Sequence, residues 1–145
     1  AVKTILEEKI PVTEVQKNRT TLTEEILRYN TPLHMFSRYL KMDVEILNYK
    51  FKAGSKIGLL LAAANRDKKV FKQPNRFDPN RREKSNVSLG AGIHFCLGAQ
   101  LARLELKIAI PLIFKKFPTM SLAKKIEYQD NYHFYGLKAL PIELK

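Results

Sequence analysis

Apolar residues recur along this chain with a changing period, and the period marks out its elements. From Leu97 to Lys116 the apolar positions Leu101, Leu104, Ile108 and Leu112 fall three or four apart, as on one face of an α-helix. Pro111 lies inside that run. Proline lacks an N–H and clashes with the preceding turn, at a cost of about 3 kcal/mol in an unadapted helix. A kink is therefore expected there, or a helix that ends near Ile110 and restarts. Thr21 to Tyr29 reads as a shorter helix, with Thr23 as its cap and Ile26, Leu27 and Tyr29 as its apolar contacts. Pro32 marks its end or the loop after it. Val44 to Phe51 has apolar residues on both sides of a turn signal at Asn48, and Ala53-Gly54-Ser55 breaks the chain before Ile57. Two or three short strands are expected here. Asn65 to Ser88 is polar and rich in Asn, Asp, Pro and Arg, which predicts mostly irregular structure. Tyr128 to Leu144, with its aromatics, Gly136 and Pro141, suits a terminal hairpin. The pattern as a whole is mainly α with small β-sheets, an α+β fold.

Composition narrows the class further. The chain has 145 residues, 45% of them apolar, which suits a globular protein and not a disordered one. That length holds one domain with a real core, or part of a larger one. There are no internal repeats, and a single cysteine excludes a disulfide scaffold. The longest apolar run, Ile57 to Ala64 (IGLLLAAA), suits a buried element. It is far short of the ~18 residues that a bilayer-spanning helix needs. The opening segment AVKTILEEKI carries two glutamates and no long apolar stretch, unlike a signal peptide. It begins with Ala, which fits a processed or excerpted chain.

A formal net charge of +12 raises the question of an acidic partner or nucleic acid. One dense zone, Arg66 to Lys84, holds eight Lys/Arg against three acids. A solvated loop explains such a zone, and an acidic protein partner explains it next best. Nucleic acid comes last, because the chain has no zinc-finger spacing, no ribonucleoprotein motif and no heptads.

The segment that carries chemistry is Leu89 to Glu105, LGAGIHFCLGAQLARLE. Gly90 and Gly92 precede Cys96 and Gly98 follows it. Glycines allow positive φ and close backbone approach to a flat ligand. Cys96 also falls just before the long helix. The unpaired N–H groups and partial positive charge of a helix N-terminus stabilise a thiolate. The N–H groups of Leu97, Gly98 and Ala99 are the expected donors to sulfur. A lone cysteine is most often a buried, inert apolar residue. The flanking pattern argues instead for a cysteine that ligates a metal in its anionic form.

That pattern resembles the haem-binding signature of cytochromes P450, Phe-x-x-Gly-x-His/Arg-x-Cys-x-Gly followed by Leu-Ala-Arg. Gly92, His94, Cys96, Gly98 and Leu101-Ala102-Arg103 match it, while Leu89 stands where the family usually has Phe. Other segments agree in the expected order. Glu25-Ile26-Leu27-Arg28 looks like the Glu-x-x-Arg helix motif, and Pro74-Asn75-Arg76-Phe77 like the later Pro-x-Arg-Phe element. Ala64-Asn65-Arg66-Asp67, Arg76-Phe77-Asp78-Pro79 and Leu140-Pro141-Ile142 also look like bacterial members. The resemblance covers roughly Leu22 to Leu144, and residues 1–20 remain unassigned.

The resemblance implies the C-terminal portion of a P450 fold as a single partial domain over 1–145. Its cofactor would be haem b, with Cys96 as the thiolate ligand of iron and His94 and Arg38 toward the propionates. Gly90, Phe95 and Gly98 would complete the haem surroundings. Glu25, Arg28 and Arg76 would form a buried structural triad that locks the irregular stretch onto its helix. Intact relatives are cytoplasmic monooxygenases that take electrons from a ferredoxin or flavoprotein reductase, and the basic zone would receive such an acidic partner on the proximal face. No distal acid–alcohol pair, carried in the family by Ala/Gly-Gly-x-Asp/Glu-Thr, precedes Glu25, so no catalytic residue is assigned. The chain alone is expected to be inactive. The alternative to the haem-binding portion of a P450 is a non-catalytic remnant, or half of a split protein whose distal half is a separate chain.

Overall fold

The computed structural model describes residues 1–83, 85–131 and 134–144. Helices α1 (Val2–Glu7), α2 (Val12–Lys17) and α3 (Arg19–Tyr29) lead into β1 (Met35–Tyr39), β2 (Val44–Ile46), β3 (Tyr49–Phe51) and β4 (Lys56–Leu60). A short α4 (Leu61–Ala64), a long irregular stretch and one 3₁₀ turn (Gly92–His94) precede α5 (Ala99–Lys116). Four short strands close the chain, β5 (Ser121–Leu122), β6 (Glu127–Tyr128), β7 (Leu137–Ala139) and β8 (Ile142–Glu143).

The core is helical. Ile5 of α1, Val15 of α2, Leu22 and Ile26 of α3, and Ile110 and Phe114 of α5 pack with Phe77 and Met120. Residues 1–20 thus fold as part of the core. Helix α3 begins at Arg19, two residues before the expected start. Thr23 does not cap it: its hydroxyl donates back to the Arg19 carbonyl at 2.7 Å. Helix α5 is continuous through Pro111, so the expected break at Ile110 does not occur. Tertiary packing compensates for the missing bond, because Ile110, Pro111 and Phe114 are all buried. Gln16 of α2 also donates to the Pro111 carbonyl at 2.6 Å.

Among the described residues the sheets are all two-stranded and antiparallel. β1 pairs with β4, with Arg38 opposite Ile57. β2 and β3 form a tight hairpin whose turn residues Leu47 and Asn48 both take positive φ, 50° and 68°. This is the pattern of a type I′ turn, and it places the turn where Asn48 signals it. β6–β7 forms a hairpin nested inside the β5–β8 pair, within which the expected terminal hairpin falls. Tyr132 and His133 lie outside the described residues. The Ile57–Ala64 run, expected to be buried, forms β4 and α4 on an open face. Leu59 and Leu60 are exposed there.

The irregular stretch is held by charge as well as by apolar contact. Glu25 and Arg28 are both buried, and Arg28 donates to the two Glu25 oxygens at 2.7 and 2.8 Å. The third member is Arg81, whose Nε donates to Glu25 at 3.0 Å. The expected third member, Arg76, is exposed. Its carbonyl points inward instead and accepts from Arg28 (3.3 Å) and Arg81 (3.0 Å), which turns its side chain out. The carbonyls of Asn65, Pro74 and Lys72 take further guanidinium protons. Arg28 still pairs with Glu25 when Arg81 is removed, but Glu25 and the carbonyls of Lys72 and Arg76 lose a charged donor, so Arg81→Ala should lower stability by about 1–3 kcal/mol in a denaturant titration. Arg76→Ala should stay within about 0.5 kcal/mol in the same denaturant titration.

Candidate functional site

The segment that presents Cys96 is fastened from behind. Asn65, wholly buried after α4, donates to Thr31 Oγ1 and Ser88 Oγ, each at 2.8 Å, and accepts from the Val87 N–H at 2.8 Å. Ser88 Oγ in turn donates to the Leu27 carbonyl of α3 at 2.6 Å. The chain therefore enters the cysteine loop anchored to the same helix that carries Glu25 and Arg28.

Inside the loop the backbone folds back on itself. The Cys96 N–H donates to the Leu89 carbonyl at 2.8 Å, and the Phe95 N–H to Gly92 at 3.0 Å. Gly90 takes φ +79°, and a Cβ there would stand 3.0 Å from the His94 carbonyl oxygen. Glycine is thus required twice over, by conformation and by space. Gly98 differs: its φ is −81°, so the positive φ considered for the flanking glycines does not apply to it. It ends the loop as the residue before α5, and a Cβ on it would lie 4.0 Å from the Cys96 sulfur.

Cys96 is exposed, two residues before Gly98 and three before the start of α5. The Ala99 N–H, one of the three expected donors to sulfur, instead serves the Cys96 carbonyl at 3.1 Å. Near Cys96 in the chain, the apolar residues Ile93, Phe95, Leu97 and Leu101 are all exposed. His94 ends the 3₁₀ turn and is exposed. Arg38 sits on β1, donating to its neighbour's carbonyl at Ser37 (2.9 Å) with its guanidinium 5.5 Å from the Phe36 ring centroid.

A haem fits this donor set. Among the described residues no three His, Cys, Asp or Glu side chains gather into a metal cage. One exposed thiol among exposed apolar side chains suits an iron whose remaining ligands come with a flat apolar macrocycle. Reading the sequence missed Arg81, because arginines in a charge-dense zone read as solvated. It also missed Asn65 and Ser88 as fasteners, since short polar residues in a polar stretch carry no signal of burial.

Comparison with known proteins agrees with the cysteine pattern. Residues 19–145 match the family model described as Cytochrome P450. The biotin biosynthesis cytochrome P450 of Bacillus subtilis (strain 168) is 39% identical over 123 residues, covering 84% of this chain and 31% of that protein. The 6-deoxyerythronolide B hydroxylase of Saccharopolyspora erythraea is 38% identical over 124 residues, covering 83% of this chain and 31% of that protein. The solved structure of the Bacillus subtilis 168 bacillaene polyketide synthase cytochrome P450 PksS superposes with a TM-score of 0.94 at 34% identity. It covers 99% of this chain, including α1 and α2, and 39% of the PksS chain. The chain belongs to the cytochrome P450 family. It spans about a third of the length of the curated relatives it matches.

The loop geometry yields a direct check. Gly90→Ala should cost about 1–3 kcal/mol, since it strains a positive φ and meets the His94 carbonyl. Thermal or urea unfolding against the unaltered chain reads this. A neutral result would mean that the loop is not held in this form.

Proposed function

We propose that this chain is the haem-thiolate-binding portion of a cytochrome P450 monooxygenase, with Cys96 as the axial ligand of the iron of haem b. The observation that carries this is the placement of an exposed cysteine at the head of α5, on a glycine-dependent loop, in a chain matched by the P450 family over 19–145. When bound, a thiolate-ligated haem activates oxygen, because sulfur pushes electron density to the iron. The chain's own residues bind and orient. The loop presents the sulfur, and Leu97 and Gly98 are the remaining candidates to donate N–H groups to it. Phe95, Gly90 and Gly98 would border the ring, and His94 and Arg38 would bind its propionates. Arginine suits that role through its planar, always-charged fork.

The exposed basic residues Lys68, Lys69, Lys72, Arg76 and Arg82 supply the surface for an acidic ferredoxin or flavoprotein reductase. Lys84, part of the same zone in the sequence, lies outside the described residues. No helix among the described residues is long and apolar enough to cross a membrane, and we place the protein in the cytoplasm with its electron donors. Reversing Lys68, Lys69 and Lys72 to Glu should slow reductase-driven reduction and flatten its salt dependence. An unchanged rate would remove this surface from the reading.

A second reading concerns completeness. Leu101, Leu104, Ile108 and Leu112 of α5 are each half-exposed or more, although the opposite side of α5 is in the core. A helix apolar on both sides belongs inside a larger protein. This supports a chain that works only together with the remaining part of the P450 fold, in the same polypeptide or a second one, and that is inactive alone. Co-purification of a chain carrying the acid–alcohol helix would support it. Substrate hydroxylation by the isolated 145 residues, supplied with electrons, would overturn it.

The first test is haem addition to the purified chain, reduction, and a carbon monoxide difference spectrum beside Cys96→Ser. A strongly red-shifted Soret band that disappears in the variant is expected. A spectrum identical in both would mean that Cys96 does not hold the iron.

A further inference from the structure

Glu24 and Glu25 are neighbours on α3 with separate sets of partners. Glu25 receives the irregular stretch through Arg81 and the Asp78 N–H. Glu24 faces the cysteine loop. Its Oε1 accepts from Arg103 Nε at 2.6 Å, and its Oε2 accepts from Arg103 Nη2 at 3.2 Å and from Asn86 Nδ2 at 3.0 Å. Asn86 stands just ahead of the cysteine loop, and Arg103 lies in α5 just beyond it. One carboxylate therefore ties down both ends of the segment that contains Cys96.

We propose that Glu24 is a positioning residue for the cysteine loop, clamping its two feet through Asn86 and Arg103 so that Cys96 presents its sulfur in one place. The assignment of a purpose rests on the reading of Cys96 as haem ligand; the clamp is a statement about the loop itself. Three observations support it. The pair is well shielded, with side-chain exposures of 18% for Arg103 and 14% for Glu24, so the contact is not a loose surface pair. The Arg103 pKa is raised, chiefly by its hydrogen bond to Glu24. The guanidinium also lies 5.8 Å from the ring centroid of Phe95, the residue before Cys96, so a shift of Arg103 is felt next to the cysteine.

The chemistry requires a carboxylate. Donors from two segments converge on it, and a planar guanidinium takes both of its oxygens. Glutamine in its place would turn an amide N–H₂ toward one of those donors, and that foot would be released. Aspartate keeps both acceptor oxygens on a shorter arm.

The test uses the whole 145-residue chain as Glu24→Gln, Arg103→Lys and Glu24→Asp, read first without haem. Hydrogen exchange at the Cys96 amide, which is bonded to Leu89, reports closure of the loop. Glu24→Gln and Arg103→Lys should speed it by about tenfold while the amide of Phe114 in the core changes little, and Glu24→Asp should recover part of the loss. With haem, the share of thiolate-type spectrum should fall in the same order. Unchanged exchange at Cys96, or an equal acceleration at Cys96 and Phe114, would overturn the clamp, the second outcome meaning a loss of stability alone. If the unaltered chain shows no thiolate-type spectrum, the haem reading fails, and the exchange data still decide the clamp.

Discussion

The carboxylate of Glu25 is only 2% exposed and receives hydrogen bonds from Arg28, from Arg81 and from the Asp78 backbone. Taking a charge out of water costs several kcal/mol unless its lone pairs are fully engaged. That constraint reaches far along the chain. Each arginine that serves Glu25 has further protons to place, and they go to the carbonyls of Asn65, Lys72, Pro74 and Arg76. The path of an irregular segment is thus dictated by polar satisfaction. Such an arrangement specifies geometry more than it adds net stability. It also leaves no buried polar side-chain atom unpartnered among the described residues.

What the sequence made legible and what it hid follow from the range of the forces involved. The cysteine loop was legible because its constraints are local: Gly90 must take a positive φ beside the His94 carbonyl, and Cys96 must precede a helix. The β2–β3 turn was legible at Asn48 for the same reason. Arg81 was not, because its burial depends on pairing with Glu25, 56 positions earlier in the chain. The Arg76 carbonyl likewise turns inward to accept from Arg28 and Arg81. Pro111 misled for a different reason. Its local cost is real, but Ile110 and Phe114 in the core and the bond from Gln16 keep the helix continuous. Residues 1–20 carry no recognisable motif, and their role emerges only from the packing of Ile5 and Val15.

The residues proposed to surround a haem divide along the same line. Cys96, Gly90, Phe95 and Gly98 belong to one short segment, so their proximity is covalent. Arg38 is brought by a different strand, and it satisfies itself locally against Ser37 and Phe36. Family membership, established by the match over 19–145, makes haem the relevant cofactor, and the candidate segment offers one exposed thiol among exposed apolar side chains.

Helix α5 has one further consequence. Its inner side closes the core through Ile110 and Phe114, while Leu101, Leu104, Ile108 and Leu112 face water. Exposed contiguous apolar surface of this kind marks an interaction site, and in an isolated chain it is an aggregation liability. Burying each of these side chains is worth on the order of 1 kcal/mol. The colloidal behaviour of this chain is therefore tied to its completeness: the side chains that make it adhesive alone are those that would stabilise it once covered. Its high positive charge acts the other way, keeping copies apart through repulsion. Added salt would screen that repulsion and leave the apolar attraction in place, so ionic strength sets the balance between dispersed chains and clustered ones.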